Sequence, residues 1–152
     1  MNTGCRIVIT LLFAVVVMAM SPGPSQDEKQ DNAPITLPGT SWLVEDIDGR
    51  GVIDMAQTTI QFGEEGDVRG STACNRYSGQ VGIDGAELIF KPMAVTRRAC
   101  PQAIMDQEQR FLAAIHNARS YKIDDEKRLM FIYGEETDRL MRLSLMTEAE
   151  AD

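Results

Sequence analysis

Between Ser41 and Leu145 apolar and polar residues alternate in short runs, the period of a strand that buries one face. Residues 41–47 form the first such run, which stops at Asp48-Gly49-Arg50-Gly51. In 58–62 the residues Thr58, Ile60 and Phe62 share one side, and Gly63-Glu64-Glu65-Gly66-Asp67 then turns the chain. Further strands are predicted over 68–73, 78–83, 87–90, 121–123, 129–133 and 139–145, with 93–96 as an additional short candidate. Asp84-Gly85 is a hairpin signal between two of them. One segment departs from period two. From Pro101 to about Ala118 helix formers dominate, Pro101 suits a first helical position, and Ile104, Phe111, Leu112 and Ile115 recur at helical spacing. The pattern predicts an α+β domain: a curled antiparallel β-sheet or open barrel of about seven or eight short strands, with one inserted helix at about 101–118.

Glu108 falls on the same helical face as Ile104, Phe111 or Leu112, and Ile115. A carboxylate turned toward a core has to be paired or neutralised. The candidate partners are Arg76, Arg97 and Arg98, each close in sequence to a cysteine. The expected arrangement is a structural ion pair pinning helix to sheet. The alternative is a titratable carboxylate lining a ligand pocket.

The flanks read differently. Residues 7–20 (IVITLLFAVVVMAM) are an unbroken apolar run of fourteen, preceded by Arg6. A membrane-crossing helix needs about 20 apolar residues, a signal-peptide core about 7 to 15. Residues 1–20 are therefore read as a signal peptide. Val17 and Ala19 satisfy the small-residue rule for a cut after Ala19, and an uncleaved anchor is the alternative. Cys5 precedes the apolar run, whereas a lipid-bearing cysteine would have to follow it. Residues 21–39, with four prolines, predict a disordered acidic linker. Residues 40–146 form the predicted domain and 147–152 a small acidic tail.

Charge narrows the partners. The 152 residues carry 15 Lys and Arg against 23 Asp and Glu, a net charge of −8. A chain so acidic suits neither nucleic acid, which needs concentrated Lys and Arg, nor anionic lipid headgroups. Removal of the signal leaves two cysteines, Cys74 and Cys100, in an oxidising compartment, and one disulfide between them is expected. Closing a loop of about 26 residues contributes about 3.5 kcal/mol in the chain-entropy account. Two Cys and the single His116 do not supply four metal ligands, and no Cys-x-x-Cys or His-x-x-x-His spacing occurs. No metal or cofactor is expected; a catalytic thiol remains as the alternative. His116, near the polar edge of the helix, reads as a surface residue.

Two segments carry a resemblance. Ile60-Gln61-Phe62 leads, through a turn, to Asp67-Val68-Arg69-Gly70-Ser71-Thr72-Ala73-Cys74-Asn75-Arg76-Tyr77-Ser78-Gly79. Leu88-Ile89-Phe90 leads to Ala94-Val95-Thr96-Arg97-Arg98-Ala99-Cys100-Pro101, followed by Met105, Glu108, Phe111 and Leu112. Together with Trp42 and the closing strands of 129–145, they resemble the META domain family, also called HslJ-like. Its signature has Gly before the first cysteine, where this chain has Ala73. The resemblance spans about 40–145. It implies a sheet-rich, open-barrel α+β domain of the envelope or secreted space, in a family linked to heat shock and drug tolerance with no established reaction. Many members carry a lipobox cysteine, which this chain lacks. The resemblance marks Cys74, Asn75, Thr96, Arg97, Cys100 and Glu108, with Arg76 and Tyr77 beside them, as binding or structural residues. Asn75 is expected to cap a turn, since Asn tolerates positive φ and bonds its own backbone.

The expectation is thus an exported, non-enzymatic monomer of the periplasm or secreted space, an accessory of stress response or quality control acting through protein contacts. The alternative is a carrier of a small apolar ligand or lipid in the mouth of the curled sheet. Its partner is an envelope protein in the first reading and a small apolar ligand in the second. No stable membrane anchor is expected once the signal is cleaved.

Overall fold

The structure, a computed structural model, describes residues 34–147. The expected signal peptide, most of the linker and the tail beyond Thr147 lie outside the described residues. Within them the alternating runs become β1 (Ser41–Ile47), β2 (Arg50–Gly51), β3 (Thr59–Phe62), β4 (Asp67–Ser71) and β5 (Arg76–Asp84). Then follow β6 (Glu87–Phe90), β7 (Ala94–Val95), α1 (Gln102–Asn117), β8 (Ser120–Asp124), β9 (Leu129–Tyr133) and β10 (Arg139–Leu145). Eight strands pair in the order β10-β9-β8-β6-β5-β4-β3-β1, every pair antiparallel, and β1 pairs with β10 to close a barrel. The two-residue strands sit outside the ring, β2 on β1 and β7 on β5. The fold is the expected α+β barrel with one helix. Residues 50–51, expected as turn, gain a short ladder, opposite Asp46 and Ile47.

Alternation decides what faces inward. In β5 Tyr77 and Val81 are buried while Arg76, Ser78 and Gln80 are exposed; in β9 Met130 and Ile132 are buried. Trp42, Ile60, Phe62, Val68, Leu88, Met141 and Leu143 join them in one continuous core. Eight strands enclose a space just wide enough for side chains to fill, and here they fill it. The barrel's two seams differ. β1 and β10 pair along their length, from Trp42 opposite Leu145 to Ile47 opposite Met141. β6 and β8 share a single residue pair, Glu87 with Ser120, and the chain between them supplies the helix.

The helix packs across the end of the barrel where β1 finishes and β3 begins. Its buried stripe is Gln107, Phe111, Ala114 and Ile115. This rotates the expected face: Ile104, Glu108 and Leu112 are only half-buried, and Gln107 takes the central position. The Phe111 ring lies 5.5 Å from that of Tyr77. Burying such a ring contributes about 1.5 to 3 kcal/mol. Gln107 is fully enclosed: its Oε1 accepts from Ile53 N (2.7 Å), and its Nε2 donates to Ala56 O (2.9 Å) and Thr58 Oγ1 (3.0 Å). These bonds tie the 53–58 loop to the helix. Pro101 stands at the N-cap, one place before the first helical position expected for it.

The domain also starts earlier than expected. Leu37 is 1% exposed within the core, Ile35 packs against it, and Gly39 N donates to Phe62 O at 2.9 Å. The end of the expected linker is therefore part of the barrel. Its apolar residues Ile35 and Leu37, spaced by two among prolines, pack onto the barrel core.

Candidate functional site

β4 and β5 are joined by four residues that make a tight turn. Thr72 N donates to Asn75 O (2.7 Å) and Asn75 N donates to Thr72 Oγ1 (2.9 Å). Such a turn needs one residue in the left-handed region, and Ala73 takes it, at φ 86°. The sequence placed that tolerance on Asn75. Relieved of it, the Asn75 side chain turns inward, 4% exposed, and bonds to two other segments rather than to its own turn. Its Oδ1 accepts from Thr96 Oγ1 (2.9 Å) and Arg98 N (2.7 Å). Its Nδ2 straddles the Glu108 carboxylate, 3.1 Å and 3.0 Å from the two oxygens. The Thr72 hydroxyl donates to the same carboxylate.

One amide thus joins the β4–β5 turn, the segment before the helix and the helix itself. Beside it Cys74 and Cys100 are disulfide-bonded, 26 residues apart. Thr96 completes the join: its Oγ1 accepts from Arg76 N (3.1 Å) and its own N donates to Arg76 O (3.0 Å). Among the described residues, no buried side-chain nitrogen or oxygen lacks a partner.

Tyr77 anchors the turn from inside the barrel, its hydroxyl donating to Thr59 O at 2.9 Å. That approach requires Gly70, because a Cβ there would lie 2.1 Å from Thr59 O and 3.0 Å from the Tyr77 oxygen. Burial opposes the phenolate and pushes the Tyr77 hydroxyl far above its ordinary range.

The structure brings Cys74, Asn75, Tyr77, Thr96, Cys100 and Glu108 together. It does not pair Glu108 with an arginine. Arg76, Arg97 and Arg98 keep exposed side chains, and among the described residues none forms an ion pair. The reason is that Glu108, half-buried, is satisfied by two neutral donors, which spares the cost of desolvating a guanidinium. Thr72 and Gln107 are the residues sequence reading missed. Gln107 was visible as the polar member of a stripe with Phe111, Ala114 and Ile115 at steps of three or four. His116 is exposed at the helix end.

Two hollows flank β7. One, of about 420 Å³, is lined by Gln61, Arg69, Arg76, Ser78 and Ala94 among others. The other, of about 460 Å³, is lined by Met93, Val95, Arg97, Arg98, Met105 and Glu108 with Asn75 and Thr96. A larger hollow of about 860 Å³ lies at the opposite ends of β3 and β4, along the acidic turn of Glu64, Glu65 and Asp67.

These features define a class: a small antiparallel barrel plugged by one helix, with an asparagine and a disulfide holding the plug's approach. The META domain family model matches residues 35–147, and the chain belongs to the META domain family. Among solved structures it is similar to a protein from Burkholderia xenovorans determined by NMR, with 19% identity and a TM-score of 0.61 over 82% of this chain and 99% of that one. A second NMR structure has 22% identity and a TM-score of 0.56, covering 76% of this chain and 93% of that one. A crystal structure of a DUF4847 family protein from Bacteroides vulgatus has 16% identity and a TM-score of 0.53, covering 71% of this chain and 93% of that one. At these identities the likeness is one of fold. No curated protein matches the chain significantly.

Proposed function

We propose that the protein is an exported, non-enzymatic accessory of the cell envelope, serving stress response or quality control through protein contacts. The observation that carries this reading is the filled barrel. Phe111 and Ile115 close one end, and Trp42, Met130, Ile132, Met141 and Leu143 are fully buried inside. A carrier needs an open apolar interior; a contact protein needs a rigid outer surface, which the Asn75 bonds and the disulfide favour. Export rests on the signal read in residues 1–20 and fits a disulfide formed in an oxidising compartment. Among the described residues no helix is long and apolar enough to cross a membrane.

Native and denaturing mass spectrometry of protein taken from its own envelope fraction tests this. The denatured mass should correspond to a chain cut after Ala19 and lacking about two hydrogens relative to its reduced form. A native spectrum of protein alone, or of protein with a protein partner, supports the contact reading. Small-molecule mass present only in the native spectrum would replace it with the carrier.

A further inference from the structure

The chain is acidic, yet its acids are absent from one region. Residues 68–83 and 88–105 contain Arg69, Arg76, Lys91, Arg97 and Arg98 and no Asp or Glu. The fold gathers the four arginines along β4, β5 and the 94–98 segment, with Asp67 at the start of β4 and the acidic turn of Glu64 and Glu65 bounding the face beside Arg69. β4 and β5 pair with Arg69 opposite Ser78 and Arg76 opposite Ser71, and β7 lies along the other side of β5. All four arginines are exposed, and among the described residues none is in an ion pair. Arg69 Nε donates to Gln61 Oε1 at 2.9 Å, which fixes its direction along the sheet. Elsewhere Arg119, Lys127 and Arg142 are matched with Glu135, Asp124 and Glu45, while the exposed Arg50, Lys122, Arg128 and Arg139 stand apart from one another among acids. Among the described residues Glu108 is the one carboxylate lining either flanking hollow, and Thr72 and Asn75 occupy its oxygens.

The scaffold beneath these arginines is rigid. Arg98 N is held by Asn75, Arg76 by Thr96 on both its N and its O, and Cys100 by the disulfide. A guanidinium held on fixed backbone loses less freedom on binding, and its planar fork matches a carboxylate bidentately.

We propose that this arginine face, across β4, β5 and the 94–98 segment, docks an extended acidic segment of a partner protein. The inference rests on the contact reading above and names the chemistry of the contact. Charge decides between anionic partners. A membrane or a nucleic acid presents negative charge over an area wider than this patch and so meets the repulsion of a −8 chain. A short acidic peptide engages the patch alone.

The test is fluorescence anisotropy of the mature protein with a labelled peptide of ten residues alternating Glu and Ala, in low and moderate salt. Saturable binding is expected, weakened at least tenfold in the double variant R76E/R97E and weakened by salt. The control R139E removes one exposed cation from β10, across the barrel, and should leave binding within about twofold. Equal losses in R76E/R97E and R139E, or no saturation, would overturn the proposal. So would equal, patch-dependent binding of polyphosphate or phosphatidylglycerol vesicles. Photocrosslinkers at position 76 and at Met55, a fully exposed apolar residue of the 53–58 loop, separate the two levels of argument when used in the envelope. Protein crosslinks at 55 alone, with no peptide binding, remove the acidic partner and keep the contact role. A copurifying small molecule with no protein crosslinks removes both.

Discussion

Replacing Asn75 with Asp changes one atom type and inverts the logic of the turn. The Oδ1 bonds from Thr96 and Arg98 survive, because a carboxylate accepts as an amide oxygen does. What is lost is the Nδ2 donation to Glu108, about 2 kcal/mol for a donor shared between two carboxylate oxygens. What is added is a second negative charge about 3 Å from the first. In a medium of effective dielectric near 20 this repulsion is about 5 kcal/mol, and the half-exposure of Glu108 screens it to about 2. Asn75→Asp should therefore cost about 4 kcal/mol, a large share of the roughly 6 to 15 expected for a domain of this size. Trp42 is the single tryptophan and is fully buried, so its fluorescence reports urea unfolding directly. With a urea slope of about 1.5 kcal/mol/M the midpoint should fall by about 2 to 3 M. Adding Glu108→Gln restores a donor facing position 75 and should recover about half of the loss, a coupling visible in a double-mutant cycle. A midpoint within 0.5 M of the parent, or strictly additive effects of the two substitutions, would refute the geometry.

Ala73→Gly should stabilise the fold by about 1 kcal/mol, because the positive φ costs alanine more than glycine loses in chain entropy; calorimetry should show a rise of about 4 to 8 °C. Gln107→Met keeps the volume but orphans Ile53 N and Ala56 O, at about 3 kcal/mol. Hydrogen exchange at Ile53 should accelerate, and unchanged exchange would remove Gln107 from that role. Cys74→Ser/Cys100→Ser should lower stability by up to about 3.5 kcal/mol, the entropy of a loop of about 26 residues, read in urea midpoints beside a reduced parent. Tyr77 binds its proton more tightly folded than unfolded, so its contribution is complete below the unfolded value near 10 and declines as pH rises beyond it. Stability measured between about pH 9 and 11 should fall more steeply in the parent than in Tyr77→Phe.

Much of the barrel was legible because one face of each strand is wet. Residues 41–47, 87–90, 129–133 and 139–145 fold over the spans their alternation predicts. Where alternation stops, so did the reading. Ala73, Cys74 and Asn75 carry no periodic signal, and 68–73 looked like strand to its end, yet the ladder stops at Ser71 and resumes at Arg76. β2 is two residues long, too short for any pattern, and the strand expected over 93–96 shrinks to Ala94–Val95. The helix was found but rotated, since Ile104 and Leu112 outweigh one Gln on any hydropathy scale. What placed Gln107 inside was the supply of backbone partners in the 53–58 loop, and a loop's polar demands are invisible in periodicity. The same holds for Glu108: the sequence offered charges as partners, and the fold supplied an amide and a hydroxyl.

The long seam between β1 and β10 joins the earliest strand of the barrel to the latest, with Met146 N donating to Ser41 O at 2.8 Å. During synthesis β1 can meet β3 early, but its other edge stays bare until residues 139–145 arrive, about a hundred positions later. Pairings of such sequence separation form slowly and late. A nascent chain of this kind cannot lock before it is essentially whole. The same delay that leaves a strand edge vulnerable keeps the polypeptide threadable for as long as its last strand is missing.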